Sequence, residues 1–136
     1  MFQATNIQTP EELFARVGEI QAYLEAEFNA DIPAACVDRA NDLAGYLALT
    51  GKMLADARYH YNQLVGSSIL AALKIEAANR MSISTLNKYI ESLAKDYRYL
   101  VDWIDRANSS CTHQIDLLRS LISKHKVEYE NSKWQK

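Results

Sequence analysis

The pattern of apolar positions divides the chain into one short and two long amphipathic segments. In both long segments, residues 31–79 and 84–131, apolar and small residues recur at alternating spacings of three and four. Such spacing places them on one face of an α-helix, because a helix completes a turn in about 3.6 residues. Each long segment is therefore predicted to be one helix that buries a stripe against partner helices.

A shorter helix is predicted over residues 9–28. Thr9 suits the N-cap position, Pro10 suits the first helical position, and Glu12 completes a capping box. The apolar residues that follow form a single stripe: Leu13, Val17, Ile20, Leu24 and Phe28. This helix should therefore pack one face against the longer helices.

The second helix is predicted over residues 31–79, with Asp31 as its cap, since the residue before Pro33 is held out of the helical region. Gly66 weakens a helix by about 1 kcal/mol relative to alanine. Because Ser67 and Ser68 follow it, a kink or break is expected there. The predicted buried stripe is Cys36, Ala40, Leu43, Leu47, Thr50, Leu54, Ala57, Tyr61, Leu64, Ser68, Ala71, Ile75 and Ala78.

The third helix is predicted over residues 84–131, with Ser82 or Ser84 as its cap. Its alternation of three and four slips once, between Ala107 and Ile115. A slip of this kind locally unwinds a coiled coil, so a distortion or a polar layer is expected there. The predicted stripe is Leu86, Ile90, Leu93, Tyr97, Leu100, Ile104, Ala107, Cys111, Ile115, Leu118, Ile122, His125 and Tyr129.

These helices predict an all-α fold in one domain, residues 1–136. Folding the chain at about residue 82 makes the long helices an antiparallel hairpin, and the short helix completes a three-helix, coiled-coil-like bundle. The short helix can cover less than half of the hairpin. The apolar surface left uncovered predicts an oligomer, most simply a two-fold homodimer.

Composition agrees with a small helical domain. The chain has 136 residues, of which 49% are hydrophobic, with only 2 prolines and 4 glycines. That is enough apolar material for a core and too few turn residues for a β-rich fold. Without an apolar run of about 18 residues or a signal-like N-terminus, we expect a cytoplasmic protein that does not enter a membrane. Two cysteines agree with a reducing compartment.

Charge is unevenly distributed along the chain. Residues 1–60 carry four basic and nine acidic side chains, whereas the segment from Arg119 onwards is basic. One interpretation is that the cations complement the dipole at the end of the third helix. The other is an accessory factor for single-stranded DNA or RNA in replication or recombination, with Arg119, Lys124 and Lys126 as nucleic-acid contacts.

Motifs for catalysis are absent from the sequence. It has no glycine-rich phosphate loop, no nucleophile elbow and no Glu-x-x-His pair. We therefore assign no catalytic, cofactor-binding or metal-binding residue and do not expect an enzyme. A metal-dependent nucleotide hydrolase is the least favoured alternative, and it predicts that Asp38, Asp42 or Asp102 are buried and cluster across the bundle.

Two segments, TGKMLADARYH (residues 50–60) and THQIDLLRSLISK (residues 112–124), resemble small helical proteins encoded by bacterial prophages and mobile elements of gut bacteria. The resemblance covers about two thirds of the chain. It implies a phage or mobile-element setting in a bacterial host cell, and it implies no activity.

In the predicted hairpin the two segments meet near Thr112 and His113. The sequence therefore predicts a nonenzymatic interaction protein that self-associates and binds a protein partner, as an adaptor or inhibitor. The residues of the candidate interaction surface are Lys52, Asp56, His60, Arg106 and His113.

Overall fold

The computed structural model describes residues 6–79 and 82–135. Over these residues the fold is all-α, as predicted, with helix α1 at Pro10–Glu25, α2 at Pro33–Asn79 and α3 at Ile83–Trp134. Hydrogen bonds pair the beginning of α2 with the later part of α3, as between Arg39 and Gln114. The two long helices therefore form an antiparallel hairpin. No helix in the described ranges is both long enough and apolar enough to span a membrane.

Helix α1 packs across one half of the hairpin. Pro10 and Phe14 lie beside Tyr97 of α3, and the carbonyl of Leu24 accepts a hydrogen bond of 3.0 Å from Nε2 of Gln114. The four predicted core residues of α1 itself are all buried: Leu13, Val17, Ile20 and Leu24. The part of the hairpin between its turn and Tyr97 is therefore not covered by α1.

Helix α1 ends at Glu25 and not at residue 28 as predicted, because Ala26 is extended with a ψ of 137°. Side chains from the other helices hydrogen-bond the last carbonyls that another turn would have used. Nη2 of Arg39 donates to the carbonyls of Tyr23 and Leu24 at 3.1 and 3.4 Å. Capping by these remote donors replaces the last predicted turn.

Helix α2 begins at Pro33, two residues after the predicted start. Asp31 is not its cap, because the residue before Pro33 is Ile32, whose carbonyl accepts a hydrogen bond from the backbone N–H of Cys36 at 3.2 Å. The expected break is also wrong, because the helix continues through Gly66. A cost of about 1 kcal/mol for one glycine is small beside the tertiary packing of a helix of this length.

The core of the hairpin follows most of the predicted stripe. On α2, Cys36, Leu43, Thr50, Ala57 and Ser68 are buried, but Ala71 is exposed. The side chains of Ile75 and Ala78 lie outside the described residues. Among the α2 residues whose burial is described, three buried residues were missed: Arg39, Met53 and Asp56. On α3 the predicted residues that are buried are Leu86, Leu100, Ile104, Ala107, Cys111 and Leu118, whereas Leu93 and Tyr129 are exposed.

Helix α3 begins one residue before the predicted start, with Ser82 as its N-cap, and runs to Trp134 instead of residue 131. The slip in its periodicity coincides with a polar layer. Nδ2 of Asn108 donates to Oγ1 of Thr50 at 2.9 Å and to the carbonyl of Leu47 at 3.1 Å. The predicted polar layer is confirmed, and it fixes the register of α3 against α2.

Candidate functional site

Three of the predicted surface residues hold the segment that precedes α1. Lys52, Asp56 and His60 lie on successive turns of α2, at intervals of four residues. The buried carboxylate of Asp56 pairs with Lys52 and accepts a hydrogen bond from the backbone N–H of Gln8 at 3.2 Å. Nε2 of His60 lies 2.6 Å from the carbonyl of Gln8, and Nζ of Lys52 donates to the carbonyl of Asn6 at 3.2 Å.

We call Lys52, Asp56 and His60, together with residues 6–8, the polar tether. Because a carbonyl oxygen only accepts, His60 must carry its proton on Nε2 in this contact. The polar tether satisfies backbone groups that have no helical partner, and so it docks the entry to α1 onto α2.

The other two residues of the predicted surface lie elsewhere. Arg106 and His113 are exposed on α3. Within residues 6–79 and 82–135, no hydrogen bond or ion pair joins either of them to Lys52, Asp56 or His60. The structure thus brings three of the five residues together, and the interaction role of the set stays a prediction.

Replacing Asp56 with alanine is expected to lower the free energy of unfolding by about 1 to 3 kcal/mol, because the N–H of Gln8 loses its acceptor in a partly buried position. The exchange of the Gln8 amide hydrogen should accelerate as well. Urea unfolding and hydrogen exchange measure the two effects.

A matched control is Asp116→Ala, which removes an exposed ion pair with Arg119 and should cost only about 0 to 1 kcal/mol. Equal losses in the two variants, with unchanged exchange at Gln8, would show that the polar tether does not dock the segment.

The basic residues at the end of α3 do not form one face. Arg119 pairs with Asp116 at 3.6 Å, and Lys124 pairs with Glu128 at 3.8 Å. Lys124 and Lys126 are two residues apart, and a helix turns by about 200° over that distance. Lys124 and Lys126 therefore point in nearly opposite directions, and the role of Arg119, Lys124 and Lys126 as nucleic-acid contacts stays a prediction.

The three aspartates considered for a nucleotide hydrolase are all exposed: Asp38, Asp42 and Asp102. Among the residues that the structure describes, no group of three or more His, Cys, Asp or Glu side chains is placed to hold a metal ion. The clustered acidic site of that alternative is not formed there.

Tyr23 joins α1 to α2 through its ring and its hydroxyl. The hydroxyl donates to Oδ2 of Asp42 at 3.1 Å, and the ring lies 4.8 Å from that of Tyr46 between centroids. Burial, followed by the hydrogen bond and the charge of Asp42, raises the pKa of Tyr23 to about 12. The folded chain therefore holds this proton more tightly than an unfolded chain, whose tyrosines have a pKa of about 10.

This difference predicts a loss of stability at alkaline pH. The contribution of Tyr23 is fully present below pH about 10 and disappears as the pH rises towards about 12. In Tyr23→Phe, the free energy of unfolding should fall less steeply across that interval, as measured by urea titrations at several pH values. Asp42→Asn should also reduce the slope, since it removes the neighbouring charge. Identical slopes in the wild type and both variants would contradict the assignment.

Arg39 was not singled out by the sequence, yet it joins all three helices. Its side chain is only 6% exposed. From α2, its Nη2 reaches the two carbonyls at the end of α1 and also donates to Oε1 of Gln114 on α3 at 3.0 Å. The guanidinium carbon lies 4.6 Å from the ring centroids of both Tyr23 and Phe28. Two aromatic faces therefore enclose the cation.

A cleft of about 390 Å³ opens at this junction. We call it the Arg39 cleft. The residues that line it are Leu24, Glu25, Ala26, Glu27, Phe28, Arg39, Gln114, Leu117 and Leu118. The spacing of Arg39 could have indicated its burial: it lies three residues after Cys36 and four before Leu43, on the same helical face.

A second surface lies on the side of α2 that is turned to solvent, nearer the hairpin turn. We call it the distal stripe. Its members follow one another at spacings of three, four, four and three: Tyr59, Asn62, Gly66, Leu70 and Leu73. Leu70 is 64% exposed and Leu73 is 54% exposed. A depression of about 490 Å³ lies around Gly66, and a Cβ atom at that position would meet nothing within 4 Å.

Comparison of the chain with protein-family models, curated proteins and solved structures finds no match. Its function is therefore inferred from the surfaces described above.

Proposed function

We propose that this protein is a nonenzymatic helical interaction protein that self-associates through the distal stripe and binds a protein partner as an adaptor or inhibitor. The observation that supports this is the distal stripe itself. Its large apolar side chains face solvent at helical spacing, next to an open glycine. Burying such a stripe against another helix removes apolar area from water, at about 25 cal/mol for each Å².

A second copy of the chain is the partner that we propose for this surface. In a two-fold dimer, the same patch of each copy forms the interface, so each protruding side chain must fit a depression in the same patch of the other copy. Leu70 projects from the stripe, whereas Gly66 leaves an open depression one turn away. Two antiparallel α2 helices could therefore place Leu70 of each copy over Gly66 of the other and approach closely.

The protein partner would use surfaces that the dimer leaves free. Tyr99 is exposed on α3, and its ring stacks on Phe14 with 6.5 Å between ring centroids. Exposed tyrosines held in place by neighbouring rings are typical of protein interfaces. A phage or mobile-element setting stays a prediction from the resemblance of residues 50–60 and 112–124.

Size-exclusion chromatography with light scattering tests this proposal, with and without a short single-stranded oligonucleotide at low and moderate salt. The expected result is twice the chain mass of 15.4 kDa, unchanged by the oligonucleotide. A salt-sensitive shift to a nucleoprotein complex would instead favour the nucleic-acid alternative. A monomer at every concentration would contradict self-association.

A further inference from the structure

We infer that the Arg39 cleft binds an apolar monocarboxylate, either as a free small acid or as the C-terminal carboxylate of a peptide that ends in an apolar residue. This site is separate from the distal stripe, and it does not depend on self-association.

The first step is the unused donor capacity of Arg39. A guanidinium has five N–H donors, but all three of its protein hydrogen bonds come from Nη2. Nε is buried without a hydrogen-bond partner, and Nη1 makes no hydrogen bond to the described residues. Because Nε is enclosed, the donor open to a ligand is Nη1, and an acceptor supplied there would gain a charge-assisted hydrogen bond.

The second step is the uncompensated charge. Within residues 6–79 and 82–135, no carboxylate lies within 4 Å of the Arg39 guanidinium. The rings of Tyr23 and Phe28 and the carbonyls at the end of α1 offset part of this positive charge. A carboxylate would complete the neutralisation, with one of its oxygens accepting a hydrogen bond from Nη1.

The remaining lining selects the class of ligand. Leu24, Leu117 and Leu118 provide apolar surface beside the cation, as is usual in ligand pockets. Glu25 and Glu27 also line the cleft, and they would repel a multiply charged anion such as phosphate more strongly than a singly charged carboxylate. A single carboxylate joined to an aliphatic group fits both features.

The test is a titration of the full chain followed by the ¹H–¹⁵N signals of the Arg39 Nε–H and the Gln114 side chain. The two probes are 4-methylpentanoate, a free acid, and N-acetyl-leucine, which imitates a peptide C-terminus. The controls are 4-methylpentanamide, N-acetyl-leucinamide and inorganic phosphate.

We expect at least one of the two carboxylates to shift both signals saturably. The carboxylate that binds more tightly shows whether the ligand is a free acid or a peptide C-terminus. The amides and phosphate should leave both signals unchanged. No saturable shift with either acid, or equal shifts with the matched amide, would overturn the inference.

Arg39 variants are unsuitable as the main test, because loss of Arg39 also weakens the packing of α1. Leu117→Glu instead adds a negative charge at an exposed position of the cleft, where the leucine is 58% exposed. It should weaken carboxylate binding by about tenfold or more. Val127→Glu makes the same charge change at a comparably exposed residue that does not line the cleft, and binding should be retained. Equal affinities in the two variants would place the ligand elsewhere and overturn the assignment.

Discussion

Replacing Arg39 with alanine is expected to lower the free energy of unfolding by about 3 to 5 kcal/mol, the range for truncating a large buried side chain. Two costs combine in this loss. The enclosed stem and guanidinium leave a cavity between Tyr23 and Phe28, and the carbonyl of Tyr23 and Oε1 of Gln114 lose a charged donor. Chemical denaturation with a helical circular-dichroism signal measures the effect.

Two further variants show which property of Arg39 matters. Arg39→Lys keeps the charge and much of the stem but loses the planar fork, so an intermediate loss is expected. Arg58→Ala removes an exposed arginine from the same helix and should change stability by no more than about 0.5 kcal/mol. If Arg39→Ala resembled Arg58→Ala, Arg39 would not join the three helices energetically.

The paired substitution Leu70→Glu and Leu73→Glu is expected to convert the proposed dimer into a monomer. The dissociation constant should rise by about a hundredfold or more, because two apolar contacts are lost and four carboxylates meet across the two-fold axis. The stability of the monomer should change little, since both leucines are more than half exposed. Sedimentation velocity over a range of concentrations measures the change in mass.

A matched pair of substitutions, Val127→Glu and Tyr129→Glu, adds the same charge to another exposed apolar region at the end of α3. That pair should leave the proposed dimer intact. If only the Val127→Glu and Tyr129→Glu pair dissociated the dimer, the interface would lie on α3 and not on the distal stripe, which would contradict the proposal.

The sequence predicted the helices well because the spacing of apolar residues reports directly which face is buried. The N-cap Thr9 was recognisable, and Ser82 was one of two candidates, because the partner of each lies three residues away in the chain. Helix ends controlled by remote residues were not predictable. The end of α1 depends on Arg39 and Gln114, and nothing within residues 9–28 indicates either donor.

The polar tether and the Arg39 cleft also depend on residues that are remote in the chain. Lys52, Asp56 and His60 were chosen because they lie in one of the two resembling segments. The structure gives them a common partner, the backbone of residues 6–8, which has no periodic pattern. Burial of the Arg39 cation requires aromatic rings that lie outside α2, so helical spacing alone favoured Ala40 for the stripe. Gly66 was interpreted as a helix breaker from its propensity. Within a packed hairpin the helix persists there, and the missing side chain leaves a depression instead.

Pulsed electron spin resonance between two copies of the chain tests most directly whether the distal stripe is a self-association surface. A spin label is attached either to Lys74→Cys, close to the stripe, or to Ser123→Cys, far along α3. The native Cys36 and Cys111 are fully buried, and burial raises the pKa of the Cys111 thiol, so labelling should be confined to the introduced cysteine.

In the proposed antiparallel dimer, labels at residue 74 lie about 20 Å apart along the helices and should give a clear dipolar coupling. Labels at residue 123 lie about 100 Å apart and should give none. Coupling at residue 123 without coupling at residue 74, or coupling at neither position, would contradict self-association through the distal stripe.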